Sequence, residues 1–276
     1  MYEIYKSGNG QRLFRLNFCG YLDILGFSQK INESDLKFFS KYLTVLDTEL
    51  KYIEDKHDLL NKEGLKKFEL KIFTDNFVFC HPQYDDSGES ELGNIFEVLS
   101  HIQFTFAKAD IFVRGAISMS NLYMDKDIVL GPALIEAYNL EKDKAINPRI
   151  ILSQKVIEVL NKHIHYYSDH KASPQSQEYL IDIDGNYFVN YLFILFYDYD
   201  LPSKKLLEEL VKHKRPVVKN LKIHKNNYKL FEKYAWIASY HNHFCLNFVR
   251  PRLPTVDLKK ILISEKLYRK TIKSIV

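Results

Sequence analysis

The chain has 276 residues, 46% of them hydrophobic and 14% aromatic, with a formal charge of only +4. That apolar share can build a sizeable core, which excludes disorder as a global description, and the length fits one large domain or two small ones. No apolar run is long enough to span a membrane, Met1 to Gly10 hold no leader-like segment, and Cys19, Cys80 and Cys245 are too sparse for a disulfide framework or a paired zinc motif. A cytoplasmic protein is expected.

In chain order, Leu13 to Leu25 is rich in branched and aromatic residues and predicts a strand with Asp23 near its end. Gly26 breaks it. Leu36, Phe39, Leu43, Leu46, Leu50 and Ile53 recur at helical spacing, and a charged stretch around Gly64 closes that helix. Phe68 to Phe73 and Phe77 to Cys80 predict a hairpin with Thr74-Asp75-Asn76 at its tip. Leu92 to Ile102 gives a second amphipathic helix, and Ile111 to Ser118 a fourth strand. The order β-α-β-β-α-β is that of a ferredoxin-like α+β fold, whose antiparallel sheet carries its helices on one face.

Beyond it, a short strand (Asp127 to Leu130), a helix after Pro132, a strand from Arg149 to Leu152 and a helix capped by Ser153 follow. Tyr166 to Glu178 predicts a polar surface excursion, and Tyr179 to Phe196 a hairpin about Asp184-Gly185-Asn186. Two helical stretches, Leu206 to Val211 and Val217 to Tyr240, complete the pattern. No linker or repeat divides the chain, so a single domain is expected: a core of about residues 12–200 and a helical C-terminal elaboration of about 201–276.

The chemistry enters through Asp23 and Asp75. In this strand order both fall at one edge of the sheet, and two close carboxylates repel unless a divalent cation lies between them. Such a pair suits two hard metal ions held against a nucleoside triphosphate. Gly26, Phe27 and Ser28 form a turn into a helix whose free amides can receive phosphate oxygens. The plainer alternative is that these aspartates are ordinary turn and cap residues.

YLDILGF (Tyr21 to Phe27) and IFTDNFVF (Ile72 to Phe79) resemble the two metal motifs of class III adenylate and guanylate cyclase domains. The sequence is more similar to the divergent pyrimidine cyclases of bacterial Pycsar anti-phage defence. That resemblance runs through RGAIS (Arg114 to Ser118), GPALIEAYNLE (Gly131 to Glu141), PRI (Pro148 to Ile150) and KYAWIASYHN (Lys233 to Asn242). It implies that Asp23 and Asp75 ligate two Mn²⁺ or Mg²⁺ ions through their side chains and Ile24 through its carbonyl. It further implies conversion of UTP to 3′,5′-cyclic UMP and pyrophosphate, a head-to-tail homodimer with shared sites, and a product that acts on a separate cyclic-nucleotide-binding effector. Cyclic CMP from CTP is the alternative.

The sequence departs from the purine enzymes where they carry a transition-state Asn and Arg: Ile135 and Asn139 stand there, and Glu69 replaces the adenine-reading lysine. Arg114, Arg149 and Lys71 are candidates for the missing cation, although Arg114 can instead pair with a buried acid and Arg149 with Glu141. Tyr21 is a candidate base contact. His241, His243 and Cys245 would share one face of an extended strand, with interior histidines the simpler reading. Two other functions stay open. One is a nucleotide-binding sensor without turnover. The other is nucleic-acid binding by the basic stretch Lys204 to Lys229, which reads first as a solvated helix face; only eight of the 39 basic residues are arginines, so no nucleic-acid or membrane partner is expected.

Overall fold

In the computed structural model, which describes residues 2–61, 68–197, 202–264 and 272–274, the first predicted strand forms as β1 (Arg15–Ile24) at the centre of the sheet. The chain then turns at Gly26, whose φ of 77° is a left-handed conformation that side chains resist. The short helix α1 (Phe27–Asn32) and the long α2 (Leu36–Asn61) follow; the closure expected around Gly64 lies outside the described residues. Strands β2 (Glu69–Phe73) and β3 (Asn76–Pro82) make the hairpin, α3 (Glu89–Lys108) crosses back, and β4 (Val113–Met124) pairs with β1. The strand order is β2-β3-β1-β4 with all three pairings antiparallel. This is the expected α+β, ferredoxin-like arrangement.

The sheet continues past it. After β5 (Val129–Leu130), which pairs with β4, come α4 (Pro132–Lys144) and β6 (Ile150–Leu152), which lies parallel to β4. Helix α5 (Gln154–His165) starts at Ser153, whose hydroxyl accepts the Val156 amide. The hairpin β7 (Tyr179–Ile181) and β8 (Tyr187–Val189) then closes that edge. Helices flank this sheet unequally on its two faces. Alternate residues Phe18, Leu22 and Ile24 of β1 share a core with Leu92, Phe96 and Leu99 of α3, whereas Cys19 and Tyr21 pack with Ala133 and Ala137 of α4. The helices are therefore not confined to one face, because α4 covers part of the other.

Helix α6 (Ser203–Ile223) and helix α7 (Tyr228–Phe244) join the larger core. The gap expected between Val211 and Val217 is closed: residues 212–216 are helical, with Pro216 inside α6. Leu206, Leu210, His213, Val217 and Leu221 hold one buried stripe through it, and that burial outweighs the hydrogen bond a proline removes. The actual break is at His224, and the Asn227 side chain caps α7. His241 and His243 thus lie on a helix rather than an extended strand, and the buried His241 ring stacks on His213 at 5.1 Å.

Three further expectations change. In α2 the buried face holds Tyr42, Glu49 and Ile53, while Leu36, Leu43 and Leu50 point outward. The 166–178 segment is no loose excursion: Ser173, Gln175 and Ser176 are buried, and Gln175 donates to the Glu89 carbonyl at the start of α3. After β8 the chain forms a 3₁₀ helix, Tyr191–Phe196, where a strand was expected. Among the described residues no helix is long and apolar enough to cross a membrane.

Candidate active site

Asp23 is the penultimate residue of β1 and pairs across the ladder with Asn76 on one side and Arg114 on the other. Residues level with one another in a sheet project to the same face, so Asp23, Asn76 and Arg114 form a row on the α4 side. Asp75 is brought to that row by the hairpin turn. The turn has only two residues between its strands, and Thr74 takes a positive φ of 57°, as tight hairpins demand. Three bonds fix it: the Ile24 amide donates to the Asp75 carbonyl at 3.2 Å, the Tyr42 hydroxyl donates to the Thr74 carbonyl at 3.1 Å, and the Asn76 amide group donates to Asp75 Oδ1 at 3.1 Å. The ladder pair Asp23–Asn76 and the Ile24–Asp75 backbone bond set the two aspartates side by side, and the Asp75 charge is felt at the Asp23 carboxyl.

A third carboxylate joins them. Glu141, in the last turn of α4, is buried and lies 2.8 Å from Arg114 Nε, which also donates to Asp23 Oδ2 at 3.1 Å. The contact with Glu141 lacks hydrogen-bond geometry, so Glu141 Oε1 has no donor. Burial pushes the Asp23 carboxyl above its ordinary range; Arg114 opposes this and the Asp75 charge adds to it. Glu141 is pushed up to about 7, first by burial and then by the Asp23 and Asp75 charges, against the pull of Arg114 and Lys233. Desolvation and like charge raise carboxyls in this way, and such groups cluster at functional sites.

Glu141 escaped the sequence reading except as a partner for Arg149. A signal for it existed: Ala133, Ala137 and Glu141 repeat every four residues along α4, and the two alanines are its buried contact with the sheet. Lys233 also went unremarked. It sits half-buried in the second turn of α7, where its ammonium feels the charges of Arg114, Asp23 and Glu141.

The remaining candidates separate. Tyr21, two residues before Asp23 on the same face, is 8% exposed. Its hydroxyl donates to Asn76 Oδ1 and its ring meets Tyr138 edge-on at 5.5 Å, so it braces the hairpin and offers little surface to a base. Gly26 and Ser28 are exposed beside the site, and no side chain caps α1. The Phe27 ring is buried against Phe38, Phe39 and Tyr42, which leaves only its backbone for a ligand. Ile24 likewise buries its side chain in the opposite core. Lys71 shares the site's face but donates to the Lys126 carbonyl. Arg149 is a correction. It is 1% exposed, its guanidinium is bound by Asp182 and Asp184, and it lies over Trp236 at 5.7 Å. Glu141 pairs with Arg114, not Arg149, because Arg149 turns toward the β7–β8 hairpin.

No family model and no curated protein matches the chain. Among solved structures it is similar to a class III adenylyl cyclase-like ATP-binding protein from Pseudomonas aeruginosa, at 9% identity and a TM-score of 0.38, over 53% of this chain and 35% of that one. It is also similar to the catalytic core of a rhodopsin-guanylyl cyclase with converted specificity in complex with ATPalphaS, at 14% identity and a TM-score of 0.40, over 64% of this chain and 95% of that one. This chain therefore spans about a third of the length of the first of these. At such values the likeness decides nothing about chemistry, which rests on the site's own residues.

Those residues bear on a metal. Among the described residues no group of three or more His, Cys, Asp or Glu side chains is gathered to hold an ion, and Arg114 takes one oxygen of Asp23. The donor chemistry nevertheless fits: Asp23 and Asp75 offer hard carboxylate oxygens, and the neighbouring Glu141 oxygen is buried without a donor.

Proposed function

We propose that this chain is a nucleotide cyclase, acting on a pyrimidine nucleoside triphosphate. UTP is the expected substrate and 3′,5′-cyclic UMP the product; CTP and cyclic CMP are the alternative pair. One observation carries the reading: two aspartates distant in sequence are set side by side, where β1 ends and the β2–β3 hairpin turns, next to an uncapped glycine turn. The resemblance of the motifs around them to pyrimidine cyclases supports the choice of substrate.

In the proposed reaction the ribose 3′-oxygen attacks the α-phosphorus, the bond to the β-phosphate oxygen breaks, and pyrophosphate leaves as the hydroxyl proton passes to water. Asp23 and Asp75 would hold the divalent ions, Mn²⁺ or Mg²⁺, with the Ile24 carbonyl as a further oxygen donor. When bound, such ions lower the pKa of the attacking hydroxyl and neutralise the leaving group. The protein's own part is placement. Asn76 orients the Asp75 carboxylate and Arg114 spans Asp23 and Glu141, and the amides at Gly26 to Ser28 would receive phosphate oxygens.

Phe73 and Tyr138, both exposed at this edge, are apolar surface on which a second copy would complete the site. A homodimer is the assembly we infer, with the cyclic product read by a separate effector in anti-phage defence. Incubating the purified protein with each of the four nucleoside triphosphates and Mn²⁺ tests this. Pyrophosphate and a cyclic pyrimidine nucleotide are expected; a product from ATP alone would refute the substrate assignment. The engagement of Asp23 by Arg114 favours a second reading, a sensor that binds nucleotide without turnover. Tight binding without pyrophosphate release would establish it.

A further inference from the structure

Burying part of a charge is costly unless a counter-charge compensates it. Lys233 breaks that rule in the free protein. It makes no hydrogen bond and no ion pair with the described residues, although it is neither at a chain end nor on an exposed helix face. Its place is set by packing. The next residue, Tyr234, meets Phe112 edge-on at 5.3 Å, and the Phe112 carbonyl accepts the Leu25 amide at 2.8 Å. That chain of contacts ties the start of α7 to the ends of both β1 and β4, two residues from Asp23 and from Arg114. The charged groups facing Lys233 are Arg114 and Lys229, which repel it, and Asp23 and Glu141, which attract it. Burial and the two cations together push its ammonium below the ordinary lysine range.

The three cations singled out from the sequence are taken. Arg114 is shared between Asp23 and Glu141, Lys71 donates to a backbone carbonyl, and Arg149 is buried on two aspartates. We propose that Lys233 is the phosphate-binding cation of this site, its ammonium receiving an oxygen of the bound nucleotide's polyphosphate. An ammonium on a flexible stem suits this role, because it meets a phosphate as a point charge and needs no planar fork. The inference rests on the cyclase reading for the identity of the ligand, and it names a residue 210 positions from Asp23 in the chain.

The test compares wild type with Lys233→Met and Lys233→Arg, using inorganic tripolyphosphate with Mn²⁺ as the probe, so that base preference plays no part. In the free protein, Lys233→Met is expected to hold or raise Tm, since it removes an unpaired, half-buried charge. Its tripolyphosphate affinity is expected to fall about 10- to 100-fold, the range for losing one charge-assisted bond, with Lys233→Arg between the two. Unchanged affinity in Lys233→Met would overturn the inference while leaving the cyclase reading intact. A fall in Tm of several degrees without ligand would also overturn it, by showing that Lys233 is a structural pair. If wild type itself binds no tripolyphosphate, the cyclase reading fails and takes this assignment with it.

Discussion

Replacing Arg149 with Met separates a structural cation from a substrate-binding one. The guanidinium is 1% exposed, and it is held by Asp182, which is buried, and by Asp184, whose side chain is 42% exposed. The outer pair contributes about 0–1 kcal/mol, as exposed pairs do. The inner pair decides the outcome. Asp182 Oδ2 also accepts the Trp236 indole N–H at 2.6 Å and Oδ1 the Ile183 amide at 2.8 Å, and losing Arg149 leaves that carboxylate in the core with only these two neutral donors. Breaking a buried pair from one side costs about 3–5 kcal/mol. For a chain of this size that corresponds to a fall in Tm of roughly 6–20 °C, readable by calorimetry or circular dichroism. The double variant Arg149→Met with Asp182→Asn should recover a large part, because it removes the stranded charge. A Tm within about 1 °C of wild type, accompanied by weaker triphosphate binding, would refute the reasoning and return Arg149 to the substrate.

Asp23→Asn and Asp75→Asn should each lower turnover by about 100-fold or more with Tm little changed, since neither side chain anchors the core; a steady-state pyrophosphate assay checks this. Gly115→Ala should destabilise strongly: its Cβ would lie 2.3 Å from the Tyr21 carbonyl oxygen, so β4 must move off β1, at a cost at or above the roughly 1–3 kcal/mol of ordinary overpacking, measured by urea unfolding. Glu178, buried and bonded by the Tyr197 hydroxyl, is pushed up to about 8, chiefly by burial. The folded protein then keeps a proton that the unfolded chain has released, so stability present below the ordinary glutamate range is lost as pH rises toward 8. Thermal scans should show Tm declining from pH 5 to 8, and Glu178→Gln should flatten that decline; an unchanged slope in the variant would count against it.

The legible part of this protein was its first half. Strand β1, the β2–β3 hairpin and α3 could be read because period-two and period-3.6 patterns are bounded there by Gly26 and by Thr74-Asp75. The two aspartates could be read because that topology brings strand ends and turns together. What escaped depended on packing between distant elements. Leu36, Leu43 and Leu50 have helical spacing but lie on the outer side of α2, since apolar periodicity does not say which stripe a neighbour will cover. Residues 212–216 fell between the two expected helical stretches because local pattern does not register the core that carries α6 through Pro216. Arg149 and Arg114 each had an acid to find, and the sequence offered Glu141 to Arg149 and an unnamed acid to Arg114; only the direction each side chain takes sorts the partners. Lys233 lay in a stretch quoted for its resemblance to a family, and nothing local marks a lysine whose charged neighbours come from β1, β4 and α4.

The central claim is that Asp23 and Asp75 jointly serve metal-dependent cyclisation. Its most direct test is the product analysis of UTP and CTP incubated with Mn²⁺, run in parallel on wild type, Asp23→Asn and Asp75→Asn. Cyclic pyrimidine nucleotide and an equal amount of pyrophosphate from wild type alone is the predicted result. Product from either aspartate variant at the wild-type rate, or no product from wild type with any triphosphate and either Mn²⁺ or Mg²⁺, would contradict it.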